Sequence, residues 1–291
     1  MLPVLNNGFY MATNSRIGAY SVLSQTPTAE QQNNANIIRS FFLNEGWTIN
    51  AICGMLGCMQ GESTINPAFI QATYRSRLPN SADDLTDVPN SVMKNFFKEY
   101  YQVTNRAFGI GLVQWDGYSN VPVSGGGTEQ QQKMVAFAIA NNIIWYDGWT
   151  QCYRIRSEQE YDYQHQDNIF FYTVRVSGVE YNFDNFPYAT DTPEHLAQAF
   201  TWGYERNAGG AGFRPDNARW WYDFFTGPNA PAIIPPQDFL LPLPADPLEP
   251  PFDPAHPVDP LEPGIGYCPG WLVSIFAMKK RKEVRRKWIK V

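Results

Sequence analysis

The sequence predicts a mainly α chain: a helical domain, a proline-rich extended linker and a short basic C-terminal helix. Three observations carry this. Apolar residues recur at helical spacing between residues 29 and 227, with identifiable caps and stops. Residues 228–263 contain thirteen prolines, which neither a helix interior nor a central strand accepts. Residues 279–291 hold eight Lys/Arg and one Glu, on a segment whose apolar part is far too short to cross a bilayer.

Taken in order, residues 1–28 are polar and mixed, and read as an arm. AEQQNNANIIRSFFLNEG places Ile37, Ile38, Phe41 and Leu43 on one helical face and stops at Gly46. TINAICGMLGCMQGES begins the next helix, with Thr48 as N-cap. Ile49, Ile52, Cys53, Leu56 and Met59 form its apolar stripe, and Asn66-Pro67 closes it. Gly54 and Gly57 weaken an exposed helix by up to about 1 kcal/mol each. They make sense where another backbone packs close, so this helix is expected to be central. A further helix is expected from about Ser91, and Thr128 caps EQQQKMVAFAIANN. PEHLAQAFTWGYERNAGG has Thr192 as cap, Pro193 in the first turn and a glycine pair as stop. NARWWYDFF is a last short helix. The proline-rich stretch reads as a stiff spacer, giving four expected regions: 1–28, 29–227, 228–268 and 269–291.

The formal net charge of the 291-residue chain is -6, but the basic end carries +7, leaving -13 for the rest. An acidic body argues against nucleic acid as the main partner. The basic end suits a membrane surface or a protein partner. Four cysteines without a CxxC or CxxH pair, and three scattered histidines, suggest neither a zinc site nor a disulfide scaffold. Cys53 and Cys58 are expected as buried or free thiols, and no cofactor is expected. The first residues lack the basic start and apolar core of a signal peptide, so synthesis without a cleaved leader is expected.

QGESTINP raises the chemical question. Glu62 stands at the end of the apolar helix, with Met59 and Ile65 as sequence neighbours. Burial at the base of a cleft raises a carboxyl's pKa and equips it as a general acid for a glycosidic bond; a solvated surface glutamate is the ordinary alternative. Gln114, Trp115 and Tyr204 are candidate cleft residues. Glycosidases usually use two acids. Asp116 and Glu205 are candidates for the second, with Asp83 and Asp84 on a loop that could reach a cleft. Asp116 reads equally as a turn residue beside Gly117, and Glu205 as a partner of Arg206 or Arg219 or a buttress.

AICGMLGCMQGESTINP resembles the opening catalytic helix of the phage tail-associated lysozyme-like family. FGIGLVQWD resembles its glycine-rich GLVQW segment, and FTWGYERN followed by ARWWYDF its YER segment and closing aromatic helix. The likeness runs from about residue 31 to about 226, with order and spacing matching as well as letters. It implies a mostly helical α+β lysozyme-like fold that cleaves the β-1,4 bond between N-acetylmuramic acid and N-acetylglucosamine in peptidoglycan. It carries the general-acid role onto Glu62 and cleft roles onto Gln114 and Tyr204. It also implies a place in the phage tail, with bacterial peptidoglycan as substrate; the spacer and the basic apolar tail, outside the likeness, favour docking to other virion proteins. Hydrolysis and lytic transglycosylation both stay open, as do a lysis-stage enzyme and a structural virion protein with an inactive domain. Where a tail-tip type in the family carries a second, zinc-dependent endopeptidase domain, this sequence has the proline spacer and basic tail, with no His/Asp constellation for such a domain. Residues 145–178 look longer and more aromatic than the family core needs, and suggest an extended groove or a virion contact. Within them VRVSGVEYNF hints at a small strand.

Overall fold

A computed structural model describes residues 4–6, 8–11, 26–70, 109–115, 134–135, 137–139, 143–166, 170–207 and 210–235. All lie in the first of two compact units, Met1–Leu248. The expected helix near Ser91, the Thr128 cap, Asp83, Asp84, Asp116, Cys268, most of the proline-rich stretch and the basic tail lie outside the described residues.

The architecture is helical with two small antiparallel hairpins. β1 (Val4–Asn6) and β2 (Phe9–Met11) precede α1 (Ala29–Asn44) and α2 (Ile49–Ser63). Residues 134–135 and 137–139 are also helical. Then follow α3 (Gly148–His165), the hairpin β3 (Val174–Val176) and β4 (Val179–Tyr181), a 3-10 turn (Phe186–Tyr188), α4 (Pro193–Gly203) and α5 (Arg214–Thr226).

Local chemistry sets most helix starts. Thr28 and Gln31 form a reciprocal capping box at α1. Thr48 caps α2 and Thr192 caps α4, each accepting a backbone N–H, with Pro193 opening α4. Two boundaries differ from expectation. α2 ends at Ser63, because Thr64 and Ile65 take left-handed φ of 55° and 56° before Asn66-Pro67 is reached. α5 starts at Arg214, three residues before Asn217, since Pro215 fits a first helical turn.

α2 is the central helix, buried along nearly its whole length. A Cβ on Gly54 would lie 2.8 Å from Leu196 Cβ and 2.9 Å from Ala197 N on α4. One on Gly57 would lie 2.4 Å from Arg214 O and 2.7 Å from Ala218 N on α5. Both glycines therefore serve the close backbone approach expected of them. Cys53, Cys58 and Cys152 are free and buried, and burial pushes their thiols up, leaving them inert.

The flanks fold onto this core. Residues 4–11, expected as an irregular arm, form a hairpin whose Phe9 is fully buried. The Phe9 ring meets Trp149 edge-on at 5.7 Å, and Asn33 Nδ2 donates to Gly8 O. Beyond α5, residues 230–235 lie along α1: Arg39 Nη2 donates to Pro231 O at 2.8 Å, and Ile234 N to Ser40 Oγ at 3.0 Å.

Candidate active site

Glu62 occupies the last turn of α2, one residue before its end. Ser63 Oγ donates to Leu112 O at 2.7 Å, tying that helix end to the 109–115 loop. The fully buried Gln151 of α3 holds the same loop from the other side. Its Oε1 accepts from Leu112 N at 2.8 Å, and its Nε2 donates to Pro67 O and Trp145 O. Gly111 leaves room for this amide, since a Cβ there would lie 2.7 Å from Gln151 Oε1.

The loop presents Gln114 and Trp115. Gln114 has a φ of 52°, and its Nε2 donates to Gly111 O at 3.0 Å. Trp115 is buried, and its Nε1–H donates to Tyr204 Oη at 3.0 Å. Tyr204 in turn donates to Glu158 Oε2, whose Oε1 lies 2.8 Å from Arg154 Nε; both of these charged side chains are fully buried. Burial, then the Glu158 charge, push the Tyr204 hydroxyl well above its ordinary range. The polar ends of Trp115 and Tyr204 are thus committed inside the protein, and the Trp115 ring is buried with them.

The next residue belongs to a second network. Arg214, at the start of α5, donates through Nη2 to Glu62 Oε1 and places Nε 3.0 Å from Glu205 Oε2. The Glu62 side chain is 25% exposed, Arg214 13% and Glu205 5%. The carboxyl that burial raises is Glu205. Desolvation, then the Glu62 charge, push it up to about 8, against the pull of Arg214. Arg206 and Arg219, the partners expected for Glu205, are engaged elsewhere. Arg206 lies over the Tyr172 ring, and Arg219 makes a two-pronged contact with Glu194 at 2.6 and 2.9 Å.

The structure thus joins Glu62 to Glu205 through Arg214, and Trp115 to Tyr204 by a hydrogen bond, with Gln114 on the same loop as Trp115; Asp116 lies outside the described residues. Sequence reasoning missed Arg214, Gln151, Arg154 and Glu158. For Arg214 the signal was faint: an arginine before Pro215, at a helix start set too late. For the others there was none, because α3 went unrecognised. It also missed an Asp–His–Ser cluster. His195 Nε2 is 3.1 Å from Ser177 Oγ and its Nδ1 3.2 Å from Asp191 Oδ1, while Asp191 accepts the Tyr181 hydroxyl at 2.7 Å. The spacing is that of a nucleophilic triad, but His195 and Asp191 are 39% and 29% exposed and Gly178 borders open space. With nothing to exclude water, the cluster ties the β3–β4 hairpin to the start of α4.

Among the described residues no group of three or more His, Cys, Asp and Glu could hold a metal ion, and no helix is long and apolar enough to cross a membrane.

Comparison with known proteins gives the family. Residues 33–225 match the family described as phage tail lysozyme. Morphogenesis protein 1 of Bacillus phage B103 is 27% identical over 222 residues, which cover 74% of this chain and 45% of that protein. The chain thus matches less than half the length of this curated relative. The family match runs from α1 to the last turn of α5 and takes in Glu62, the 109–115 loop, Tyr204, Glu205 and Arg214, so the chain belongs to the phage tail lysozyme family.

Proposed function

We propose that the protein is a virion tail-associated peptidoglycan hydrolase. It cleaves the β-1,4 bond between N-acetylmuramic acid and N-acetylglucosamine, with Glu62 as general acid, and so helps the phage through the wall at infection. The observation that carries this is the position of Glu62: a partly exposed carboxyl at the end of a buried helix, held by a guanidinium beside a second carboxyl. Glu62 protonates the glycosidic oxygen as the bond to C1 of the muramic residue breaks. Gln114 and the partly exposed Tyr204 ring line the glycan cleft, and the buried Trp115 holds Tyr204 in place. Glu205 is too enclosed to meet a sugar or activate a water, and Asp116 remains a candidate for that second role. With one acid, C1 is captured by water or by the muramic 6-hydroxyl, the latter making the enzyme a lytic transglycosylase. The basic end of the chain, 269–291, docks to other virion proteins or a membrane surface across the proline-rich spacer.

Digestion of purified peptidoglycan by the full chain and by Glu62→Gln tests this, with products read by mass spectrometry. Reducing muramic ends mean a muramidase. Anhydro-muramic ends, lighter by one water, mean a lytic transglycosylase. Activity of Glu62→Gln near wild type removes Glu62 from the role. A second reading, a structural virion protein with an inactive domain, draws on the ion pair that occupies Glu62 Oε1. Failure of folded wild type to cleave any of several wall types favours it.

A further inference from the structure

α3 carries a polar stripe where a core helix would carry an apolar one. Gln151, Arg154 and Glu158 follow at steps of three and four, which sets them on one face, and all three are fully buried. An ion pair as deep as Arg154–Glu158 adds little net stability, and apolar residues of similar volume often replace one without loss. What the stripe reaches explains it better. Gln151 holds the 109–115 loop through Leu112 N. Farther along the helix, Glu158 Oε2 accepts the Tyr204 hydroxyl, which itself accepts Trp115 Nε1–H at 3.0 Å. The Tyr204 ring stacks on Phe200, with centroids 4.6 Å apart and planes 24° apart, and Phe183 meets it at 5.5 Å. Stacking fixes the height of a ring but lets it slide in its own plane. Directional hydrogen bonds at the hydroxyl remove that freedom.

We infer that Glu158 is a positioning residue that acts through Tyr204: its Oε2 holds the hydroxyl, and the held hydroxyl sets where the ring stands in the cleft wall. This rests on the reading of Tyr204 as a cleft residue. What the reaction requires at position 158 is an acceptor oxygen. Arg154, with Nε 2.8 Å from Glu158 Oε1, lets that oxygen belong to a carboxylate inside the protein. A charged acceptor holds a hydroxyl more strongly than a neutral one. A ring displaced by about 1 Å misplaces the sugar against it, and the glycosidic oxygen then stands off from Glu62.

The test separates the acceptor from the charges, in the full chain. A first pair, Arg154→Met with Glu158→Leu, removes both charges and the acceptor. A second pair, Arg154→Met with Glu158→Gln, removes both charges and keeps an amide oxygen in the same place. Melting followed by circular dichroism is compared with kcat/KM from the turbidity of suspended peptidoglycan. The two pairs are expected to melt within a few degrees of each other. The first is expected to lose kcat/KM about tenfold or more, and the second to stay within about threefold of wild type. On a Tyr204→Phe background the difference is expected to vanish, since no hydroxyl is left to hold. Equal kcat/KM in the two pairs, or a difference that persists with Tyr204→Phe, overturns the inference. Should the first pair fail to fold, Tyr204→Phe alone decides: a tenfold fall supports the inference and a wild-type kcat/KM overturns it. Tyr204→Ala tests the reading beneath. If it is impaired while the two pairs match, Tyr204 stays in the cleft and only the role of Glu158 falls. Tyr204→Ala as active as wild type, or a folded wild type that cleaves no wall, overturns both.

Discussion

Gly57→Ala puts a methyl group where the backbone of α5 already lies. The new Cβ would sit 2.4 Å from Arg214 O, 2.7 Å from Ala218 N and 2.8 Å from Ala218 Cβ. Ordinary contact begins near 3.4 Å, so α5 must retreat by about 1 Å, and no rotamer change relieves a clash with main chain. Overpacking costs about 1–3 kcal/mol, with the upper end apt here because the obstacle is backbone. Alanine's better helix propensity returns up to about 1 kcal/mol. The net loss is about 2 kcal/mol, which for a domain of this size lowers Tm by roughly 4–8 °C. α5 carries Arg214, so wall-clearing activity should fall as well. Gly61→Ala is the control on the same helix. Its Cβ would lie 3.4 Å from Arg214 Cγ, a flexible side chain that can yield. Thermal unfolding followed by circular dichroism measures both. A Gly57→Ala protein as stable as wild type, or a Gly61→Ala protein destabilised as strongly, refutes the close-approach argument.

Two other perturbations probe the networks around the site. Tyr204→Phe removes the hydroxyl between Trp115 Nε1–H and Glu158, taking one donor from a buried charge and one acceptor from a buried indole. A loss of about 1–3 kcal/mol is expected in chemical denaturation, and a midpoint equal to wild type counts against the network. Stability should also follow Glu205. The unfolded chain releases this proton near 4.5 and the folded chain near 8, so the folded state binds more protons between those values. Stability is full below about 4.5 and is lost as pH rises through 8, with a slope of up to about 1.4 kcal/mol per pH unit. Urea midpoints from pH 5 to 9 should fall in wild type and flatten in Glu205→Gln; parallel curves contradict the assignment.

What the sequence made legible was local. Thr48 and Thr192-Pro193 mark helix starts because a cap acts within three residues of itself. VRVSGVEYNF hinted at a small strand, and the structure breaks it into a hairpin at Ser177-Gly178, where both residues take positive φ. α3 was illegible for the opposite reason. It buries Gln151, Arg154, Glu158, Gln159 and Asp162, so no apolar stripe betrays it. Those polar groups are tolerable only because partners satisfy them: Arg154 one turn away for Glu158, the Phe170 and Phe171 amides beyond the helix end for Asp162, and the sequence-distant Trp47 Nε1 for Gln159. The site divides the same way. The place of Glu62 at a helix end could be read from its neighbours. Its partner lies 152 residues away, and no local pattern selects Arg214 over Arg206 or Arg219.

A single feature of α2 nonetheless links the core to the site. Gly54, Gly57 and Gly61 follow one another at steps of three and four, which aligns them along one helix face. The first admits α4, the second admits the backbone of α5, and the third borders the Arg214 side chain. With larger residues at 54 and 57, α4 and α5 would stand farther from α2. Glu205, just beyond the end of α4, and Arg214, at the start of α5, would then be displaced from Glu62. Sub-ångström placement of a charged group does not survive such a shift. The glycines cost α2 intrinsic helix stability, and its nearly complete burial compensates for them. A helix weakened by three glycines thus sets how closely α4 and α5 approach the charged cluster.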